Sequence, residues 1–407
     1  MRTLAVALLA FTALPAQVYV VDVAGGAGSH FTDLAAAVAA VPNGSTLRVR
    51  AGSYVGCALQ AKGLAIVGEG LVVVQGSCSV ALTLATQRVL LRNLQFDVGL
   101  SIRDAAGPVA VEACTIQGLF ASGVKIERGA QVRLQGCQLG PLQFGFGPPL
   151  EMTDATVEVA RCQVIGGTGF SFGYNVGVLA LRSRCTLVDC PVTGGAGGAA
   201  SCWRGTVMPA TPGYPACDLE ASTLLVCDSA IVGGAGGVAA ACAPPAAGGV
   251  GVKAGTNCAV FVFGALPIGG GAGGGNGLPR APGYQLGAGS RLVHSPTLRT
   301  PVAWITGTQA RAQTVQVELR AAPASVAVIA FSYTGLAVPL EPFGVGSLLL
   351  QPALVSAAFA VPSTGAFALP LHLPASLPLS EIYTGQVLTW QPAGVFASNT
   401  FALLVAQ

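Results

Sequence analysis

Charge is what this sequence has least of. Of its 407 residues only 9% are charged, against about a quarter in ordinary globular chains. Few groups are therefore available for proton transfer, and any cluster of them is informative. The formal net charge of +3 is small and dispersed, which argues against a nucleic-acid surface. Histidine is limited to His30, His294 and His372. None lies in a nucleophile motif such as Gly-x-Ser-x-Gly, so a serine-hydrolase triad has no footing. No Cys-x-x-Cys pair occurs and no histidine stands beside a cysteine, which argues against a metal site. No cofactor motif is present. His30 and Asp33 read together as part of a helix cap, and Trp203 and Trp390 as packing residues.

Long apolar runs are also missing. Met1-Arg-Thr followed by Leu4 to Ala13 is too short to span a bilayer. With Leu14-Pro-Ala16 behind it, the segment reads as a secretory signal peptide over residues 1–16, cleaved before Gln17. No later stretch is both long and poor in glycine, so no membrane span is expected. Export would permit disulfides.

Glycine, by contrast, is abundant at 56 residues, and twelve cysteines all lie between Cys57 and Cys258. The cysteines mark a repeat. Val109-Ala-Val-Glu-Ala-Cys114, Val132-Arg-Leu-Gln-Gly-Cys137, Val157-Glu-Val-Ala-Arg-Cys162 and Cys185-Thr-Leu-Val-Asp-Cys190 superimpose, their last cysteines 23, 25 and 28 residues apart. Val89 to Phe96 aligns ahead of them. A period of this size means a solenoid of stacked coils. Side chains stacked on successive coils lie about 4.8 Å apart, longer than the ~3.8 Å between Cβ atoms that a disulfide prefers. The column is therefore expected to be a ladder of buried thiols, with Cys202, Cys217, Cys242 and Cys258 the better disulfide candidates.

Further on the period lengthens to 39 and 37 residues, marked by Val192-Thr-Gly-Gly-Ala-Gly-Gly198, Ile231-Val-Gly-Gly-Ala-Gly-Gly237 and Ile268-Gly-Gly-Gly-Ala-Gly-Gly274. These coils are expected to carry long loops whose glycines take positive φ and stack closely. Gly273-Gly-Gly-Asn-Gly277 is similar to calcium-binding repeats but lacks their aspartates. Asp189 and Asp228 recur beside the cysteine column and read as solvated turn residues.

Near the start, Val18 to Val23 reads as a strand and Phe31 to Val41 as a short amphipathic helix, capped by Asp33 or Thr32 and ended by Pro42-Asn-Gly44. Ser45 to Tyr54 and Gly63 to Gly70 follow. This order resembles the opening of right-handed parallel β-helix proteins of the pectin-lyase-like superfamily, where a helix caps the first coil and a strand ending in Gly-x-Tyr follows. The resemblance implies an all-β fold, a right-handed parallel β-helix with an N-terminal capping helix over residues 17–289, and transfers no catalytic residue. A proline-marked stretch with Pro282, Pro296 and Pro301 follows, with the linker at residues 290–301. Alternating strands such as Thr314 to Leu319 and Val326 to Phe331 then suggest a small antiparallel β-sandwich over residues 302–407. Its ending, Leu369-Pro-Leu-His-Leu-Pro374 through Gly385-Gln-Val-Leu-Thr-Trp-Gln391 to Ser398-Asn-Thr-Phe-Ala-Leu-Leu404, resembles an uncharacterised C-terminal module of bacterial secreted proteins.

Aligning the coils also aligns Leu100-Ser-Ile-Arg-Asp104, Val124-Lys-Ile-Glu-Arg128 and Leu150-Glu-Met-Thr-Asp154. Leu100, Val124 and Leu150 should point inward, and Ser101, Lys125 and Glu151 outward. Arg103 then opposes Glu127, Asp104 opposes Arg128, Lys125 opposes Glu151, and Arg128 opposes Asp154. The superfamily resemblance implies sugar-cleaving sites on such an outer face, with arginine or lysine as base in lyases and paired carboxylates in hydrolases. Strict alternation of sign favours ion pairs that hold the register. In the preceding loops Phe120, then Phe144 and Phe146, then Phe170, Phe172 and Tyr174 fall at equivalent places. Such a row is either a buried stack or a platform on which sugar rings pack. The function expected from these features is non-catalytic binding or structure in an exported protein, with an extracellular polysaccharide or cell-surface component as partner. The alternative is a polysaccharide lyase or glycoside hydrolase working on the same face.

Overall fold

The computed structural model describes residues 17–118, 122–129, 131–140, 147–167, 175–203, 206–264, 268–275 and 278–295 of the first part of the chain. In the second part it describes 301–306, 313–332, 337–339, 344–345, 347–349, 356–373, 382–391, 394–398 and 401–404. The proposed signal peptide lies outside these residues. The chain forms a right-handed parallel β-helix followed by a β-sandwich. Among the described residues, no helix is long and apolar enough to cross a membrane.

Each coil has three faces. On the first, Leu100–Arg103, Val124–Glu127, Leu150–Thr153, Val178–Leu181 and Cys217–Glu220 stack in parallel register within a sheet of nine strands. The second face carries Val109–Glu112, Val132–Gln135, Thr156–Ala160, Arg184–Val188 and Thr223–Cys227, also in parallel register. The third carries short strands such as Thr115–Ile116 and Gln138–Leu139. Leu100, Ile102, Val124, Ile126, Leu150 and Met152 are buried in the bore, at 2% exposure or less, while Ser101, Lys125 and Glu151 face outward as the period of two requires.

The open end of the first coil would expose that bore and its unpaired strand. Helix Leu34–Ala40 closes it, burying Leu34, Ala37 and Val38. Asp33 supplies the cap, its Oδ1 accepting the Ala36 N–H at 2.7 Å. His30 instead accepts the Val20 N–H.

Each bend turns on a single residue in the left-handed region. Asp104, Arg128, Asp154 and Arg182 (φ 46 to 51°) make the bend between the first and second faces. Ala113, Gly136, Arg161, Asp189 and Asp228 (φ 46 to 61°) make the bend between the second and third. Such conformations cost a non-glycine residue roughly 1–2 kcal/mol, and they persist because the next residue is locked by its neighbours on adjacent coils.

At the second-to-third bend the locking residues are Cys114, Cys137, Cys162 and Cys190, all buried and all free thiols. The Cys137 N–H donates to Cys162 Sγ (3.2 Å), the Cys162 N–H to Cys190 Sγ (3.4 Å), and the Cys190 N–H to Ser229 Oγ (3.0 Å). The thiols in turn donate to carbonyls, as Cys137 does to Val111 (3.3 Å). The expected ladder is thus a hydrogen-bond relay, continued by a serine where the cysteines stop. The first-to-second bend has a serine version: the Ala155 N–H donates to Ser183 Oγ, and the Ser183 N–H to Ser222 Oγ.

Of the four disulfide candidates, Cys202 and Cys242 are bonded to each other. Cys217 and Cys258 are not; both are buried free thiols. Cys217 occupies an inward position of the first face. Cys258 fills a bend, its N–H donating to Ser290 Oγ. Neither belongs to a loop.

The glycine-rich insertions form long arms that leave the coil and return to it. Their hydrogen bonds recur every third residue, the repeat of extended polyproline-II chain. Gly194 and Gly197 donate to Val232 and Ala235 of the next coil, and Gly233 and Gly236 to Gly269 and Ala272 of the one after. Gly234 and Gly237 donate to Tyr214 and Thr211 on the preceding coil's return arm. A Cβ on Gly234 would stand 1.8 Å from the Gly195 carbonyl oxygen, and one on Gly237 1.9 Å from that of Gly198. Gly194, Gly195, Gly197, Gly233, Gly234, Gly236 and Gly237 are absent from the positive-φ residues, so glycine is needed here for close approach and not for the expected backbone twist. Pro212 and Pro215 alternate with Gly213, whose N–H donates to Ala247. The Cys202–Cys242 bond joins two neighbouring arms at their far ends.

The solenoid also runs further than expected. Tyr284–Leu286 and Arg291–Ser295 pair in parallel with Val252–Ala254 and Ala259–Phe263. Residues 290–295, read as linker, therefore complete a coil. The prolines before them belong to a return arm.

In the sandwich, Val302–Thr306, Thr314–Arg320 and Ala366–His372 form one antiparallel sheet. Val326–Ser332 lies between Ser356–Ala360 and Ile382–Gln391 in another. Val315, Val317 and Leu319 pack with Ala327, Ile329, Phe331 and Val387 into one core between them.

Candidate functional site

The outer side of the first face gathers the sequence-predicted charges. Lys125 Nζ lies 2.9 Å from Glu127 Oε1 and 3.7 Å from Glu151 Oε1, and Arg103 Nε donates to Glu127 Oε2 at 2.9 Å. Ser122 Oγ donates to Glu151 in a short hydrogen bond. The hydrogen bond from Lys125 holds the Glu127 carboxyl below its ordinary range, and the same bond raises the Lys125 ammonium. Further along, Lys253 Nζ meets Asp218 Oδ2 at 3.0 Å.

At the bend beside this face the left-handed residues themselves form a second column. Arg128 grips Asp104 with two hydrogen bonds, Nε to Oδ1 at 2.6 Å and Nη2 to Oδ2 at 3.0 Å. Arg182 grips Asp154 in the same way, at 2.7 and 2.8 Å. The expected apposition of Arg128 to Asp154 is therefore not a direct bond: the fork of Arg128 is committed to Asp104, and Asp154 is held from the following coil. Arg182 was legible in the sequence, since Val178-Leu-Ala-Leu-Arg182 aligns with Leu150-Glu-Met-Thr-Asp154. Side-chain hydrogen bonds from Arg128 and Arg182 keep the Asp104 and Asp154 carboxyls below their usual range.

These pairs line an open groove of about 840 Å³ that crosses several coils, with Thr156, Arg184 and Thr223 along its second-face side. Asp104 and Asp154 are two coils apart, about 9.6 Å by strand spacing, near the separation of an inverting glycosidase pair. Their ionisation is wrong for that reaction. A general acid needs a carboxyl raised toward neutrality. The carboxyls of Asp22, Asp104, Glu127, Asp154 and Glu220 are all displaced downward. A lyase base must shed its proton near neutral pH, whereas Lys125, Arg128 and Arg182 are all pushed up by their carboxylate partners.

A further charged group was not foreseen. Glu112, on the outer side of the second face, accepts from Arg92 Nη2 at 2.6 Å and from Arg133 Nη2 at 2.9 Å. Its signal was a register match: Arg92, Glu112 and Gln135 occupy one column and Arg133 the next. The aromatic row of Phe120, Phe144, Phe146, Phe170, Phe172 and Tyr174 lies outside the described residues.

Compared by sequence, the chain matches no family model and no curated protein. Among solved structures it is similar to ORF18 of Geobacillus virus E2, at 10% identity and a TM-score of 0.32 over 93% of this chain and 78% of that one. It is similar to tailspike protein 2 of the Escherichia coli O157:H7 bacteriophage CAB120, at 12% identity and a TM-score of 0.33 over 88% of this chain. It spans 62% of that tailspike. Pectate lyase Pel9A is similar at 12% identity and a TM-score of 0.33, over 69% of this chain and 78% of the lyase. By strand topology, the fold is a parallel β-helix.

Proposed function

We propose that this chain is an exported, non-catalytic protein that binds an uncharged extracellular polysaccharide along the groove at the first-to-second bend. The observation that carries the reading is the column of two-pronged Asp–Arg pairs lining that groove, with acids and bases both held in their charged forms. Each pair uses the Nε and Nη2 edge of its guanidinium. The Nη1 group remains a donor and each carboxylate keeps lone pairs to accept, which suits neighbouring sugar hydroxyls that both donate and accept. Alternating sign along the groove favours an uncharged chain. The aromatic row adjoining the first face in sequence supplies residue types on which sugar rings pack. Export rests on the basic and apolar leader and on the Cys202–Cys242 bond, which belongs to an oxidising compartment.

The test is a glycan array run with product detection on the mature protein. Binding of a neutral polysaccharide is expected, weakened at least about tenfold in Arg128→Ala/Arg182→Ala, a loss of about 1.4 kcal/mol or more in affinity, with no new reducing ends. Turnover of a polysaccharide, lost in Lys125→Ala or Glu151→Ala, would replace this reading with a lyase or hydrolase.

A further inference from the structure

The first two coils hold a pair of thiols that the ladder does not use. Cys57 precedes strand Ala58–Gln60 and Cys78 opens strand Cys78–Ala81; the register of Ala58 with Ser79 sets the two cysteines opposite each other on neighbouring coils. Both are buried, at 5% and 2% exposure. Their Sγ atoms are 3.3 Å apart, each the hydrogen-bond partner of the other. In the column of Cys114, Cys137, Cys162 and Cys190 neighbouring sulfurs also meet, but there the thiols have backbone carbonyls to donate to, and the Cys162 and Cys190 sulfurs accept backbone N–H groups. Side chains that stand parallel on coils about 4.8 Å apart are too far apart for a disulfide's Cβ atoms, but the opposed Cα atoms fall inside its 4.4–6.8 Å window, so side chains that lean together can bridge the gap. What decides bonding is where the sulfurs point, and here they converge.

The backbone is built for that convergence. A Cβ on Gly56 would meet the Ser77 carbonyl oxygen at 2.1 Å, so only glycine lets the two segments lie this close. The Gly56 N–H donates to the Gln75 carbonyl at 2.8 Å and the Ser79 N–H to the Cys57 carbonyl at 2.9 Å, which holds the approach on both sides.

We infer that Cys57 and Cys78 form a second disulfide in the exported protein, stapling the first coil to the second at the capped end of the solenoid. The oxidant is a disulfide of the oxidising compartment. One cysteine thiolate attacks a sulfur of that disulfide and expels its other half as a thiolate. The second cysteine thiolate then attacks the mixed disulfide, forming the Cys57–Cys78 bond and releasing the remaining half. Two electrons pass to the oxidant, and the two protons lost by the cysteines go to its two thiolates.

The test uses the full mature chain, unfolded and reduced, then refolded in a mixture of reduced and oxidised glutathione until Cys202 and Cys242 are found linked, so that every thiol meets the oxidant before it is buried. It is then unfolded without reductant in excess iodoacetamide and digested. The expected result is a linked peptide pair containing Cys57 and Cys78, two hydrogens lighter than the two thiol peptides together, while Cys114, Cys137, Cys162 and Cys190 carry the alkyl group. Alkylation of Cys57 and Cys78 in material whose Cys202–Cys242 bond is intact would overturn the inference. As a second readout, Cys202→Ser/Cys242→Ser protein oxidised in the same way should lose thermal stability on adding reductant. The variant that also carries Cys57→Ser and Cys78→Ser should show no such reductant dependence, and equal dependence in both would also overturn the inference.

Discussion

Replacing Gly234 with alanine tests the account of the glycine arms. A Cβ there would lie 1.8 Å from the Gly195 carbonyl oxygen and 2.5 Å from its carbon. Carbon and oxygen approach no closer than about 3.3 Å even in weak hydrogen bonds, so the arms must part by about 1.5 Å. That movement pulls on the bonds from Gly234 N–H to Tyr214 (2.9 Å) and from Gly249 N–H to Gly234 (2.8 Å). Two backbone bonds at about 1 kcal/mol each and an overpacking strain of about 1–3 kcal/mol give an expected loss of about 3–5 kcal/mol. A solenoid repeat contacts mainly its neighbours, so the loss should be local. Hydrogen exchange should quicken in residues 194–200, 211–216 and 233–250 while the coil strands of residues 100–160 keep their protection. Ala235→Ser is the control: Ala235 is exposed on the same arm and its change should stay within about 0.5 kcal/mol. If Gly234→Ala is as mild as Ala235→Ser, the arms are not in backbone contact and the reasoning fails.

Four more outcomes follow from particular residues. Asp104 and Asp154 have carboxyls held below their ordinary range. Their contribution is complete above about pH 4, the unfolded carboxylate value, and is lost as pH falls through the folded values; Asp154→Asn should therefore flatten the acid side of a plot of Tm against pH, and an unchanged acid side would contradict this. Cys162→Ser should cost less than Cys162→Ala by roughly 1 kcal/mol in urea unfolding, because serine still accepts the Cys137 N–H, as Ser229 does for Cys190, whereas alanine leaves it unpaired. Burial pushes the Cys190 thiol up to about 12, so native protein should leave it unlabelled by a disulfide reagent at pH 8 that labels it after unfolding. Asp33→Ala removes the N-cap of a seven-residue helix and should cost about 1 kcal/mol, read as a lower urea midpoint and faster exchange in residues 34–40.

Much of this was legible from periodicity because stacked coils impose one environment on each column. Equivalent residues meet equivalent residues, and in-register alignment of Leu100, Val124 and Leu150 follows without any knowledge of distant contacts. Arg128 shows where that reasoning stops. It lies between Asp104 on one coil and Asp154 on the next, and alignment alone cannot say which carboxylate its fork grips. The side-chain lean along the axis decides, and with it the pairing of Arg182. Residues 290–295 failed for a different reason: Gly287-Ala-Gly-Ser290 is bend chemistry with no apolar pattern, and Pro279 and Pro282 of a return arm look like linker until the arm's pairing is known.

By itself the sequence determined the solenoid, its helix cap, the thiol column and the concentration of charge on one outer face, because each depends on spacing along the chain. Only the tertiary structure decided that the glycine arms pack for closeness and not for twist. It also decided that Cys202 pairs with Cys242 while Cys57 and Cys78 turn their sulfurs toward each other, and that the Asp–Arg pairs line a groove. Those outcomes depend on how side chains lean and how closely backbones approach across coils, distances of an ångström or two that no one-dimensional period encodes.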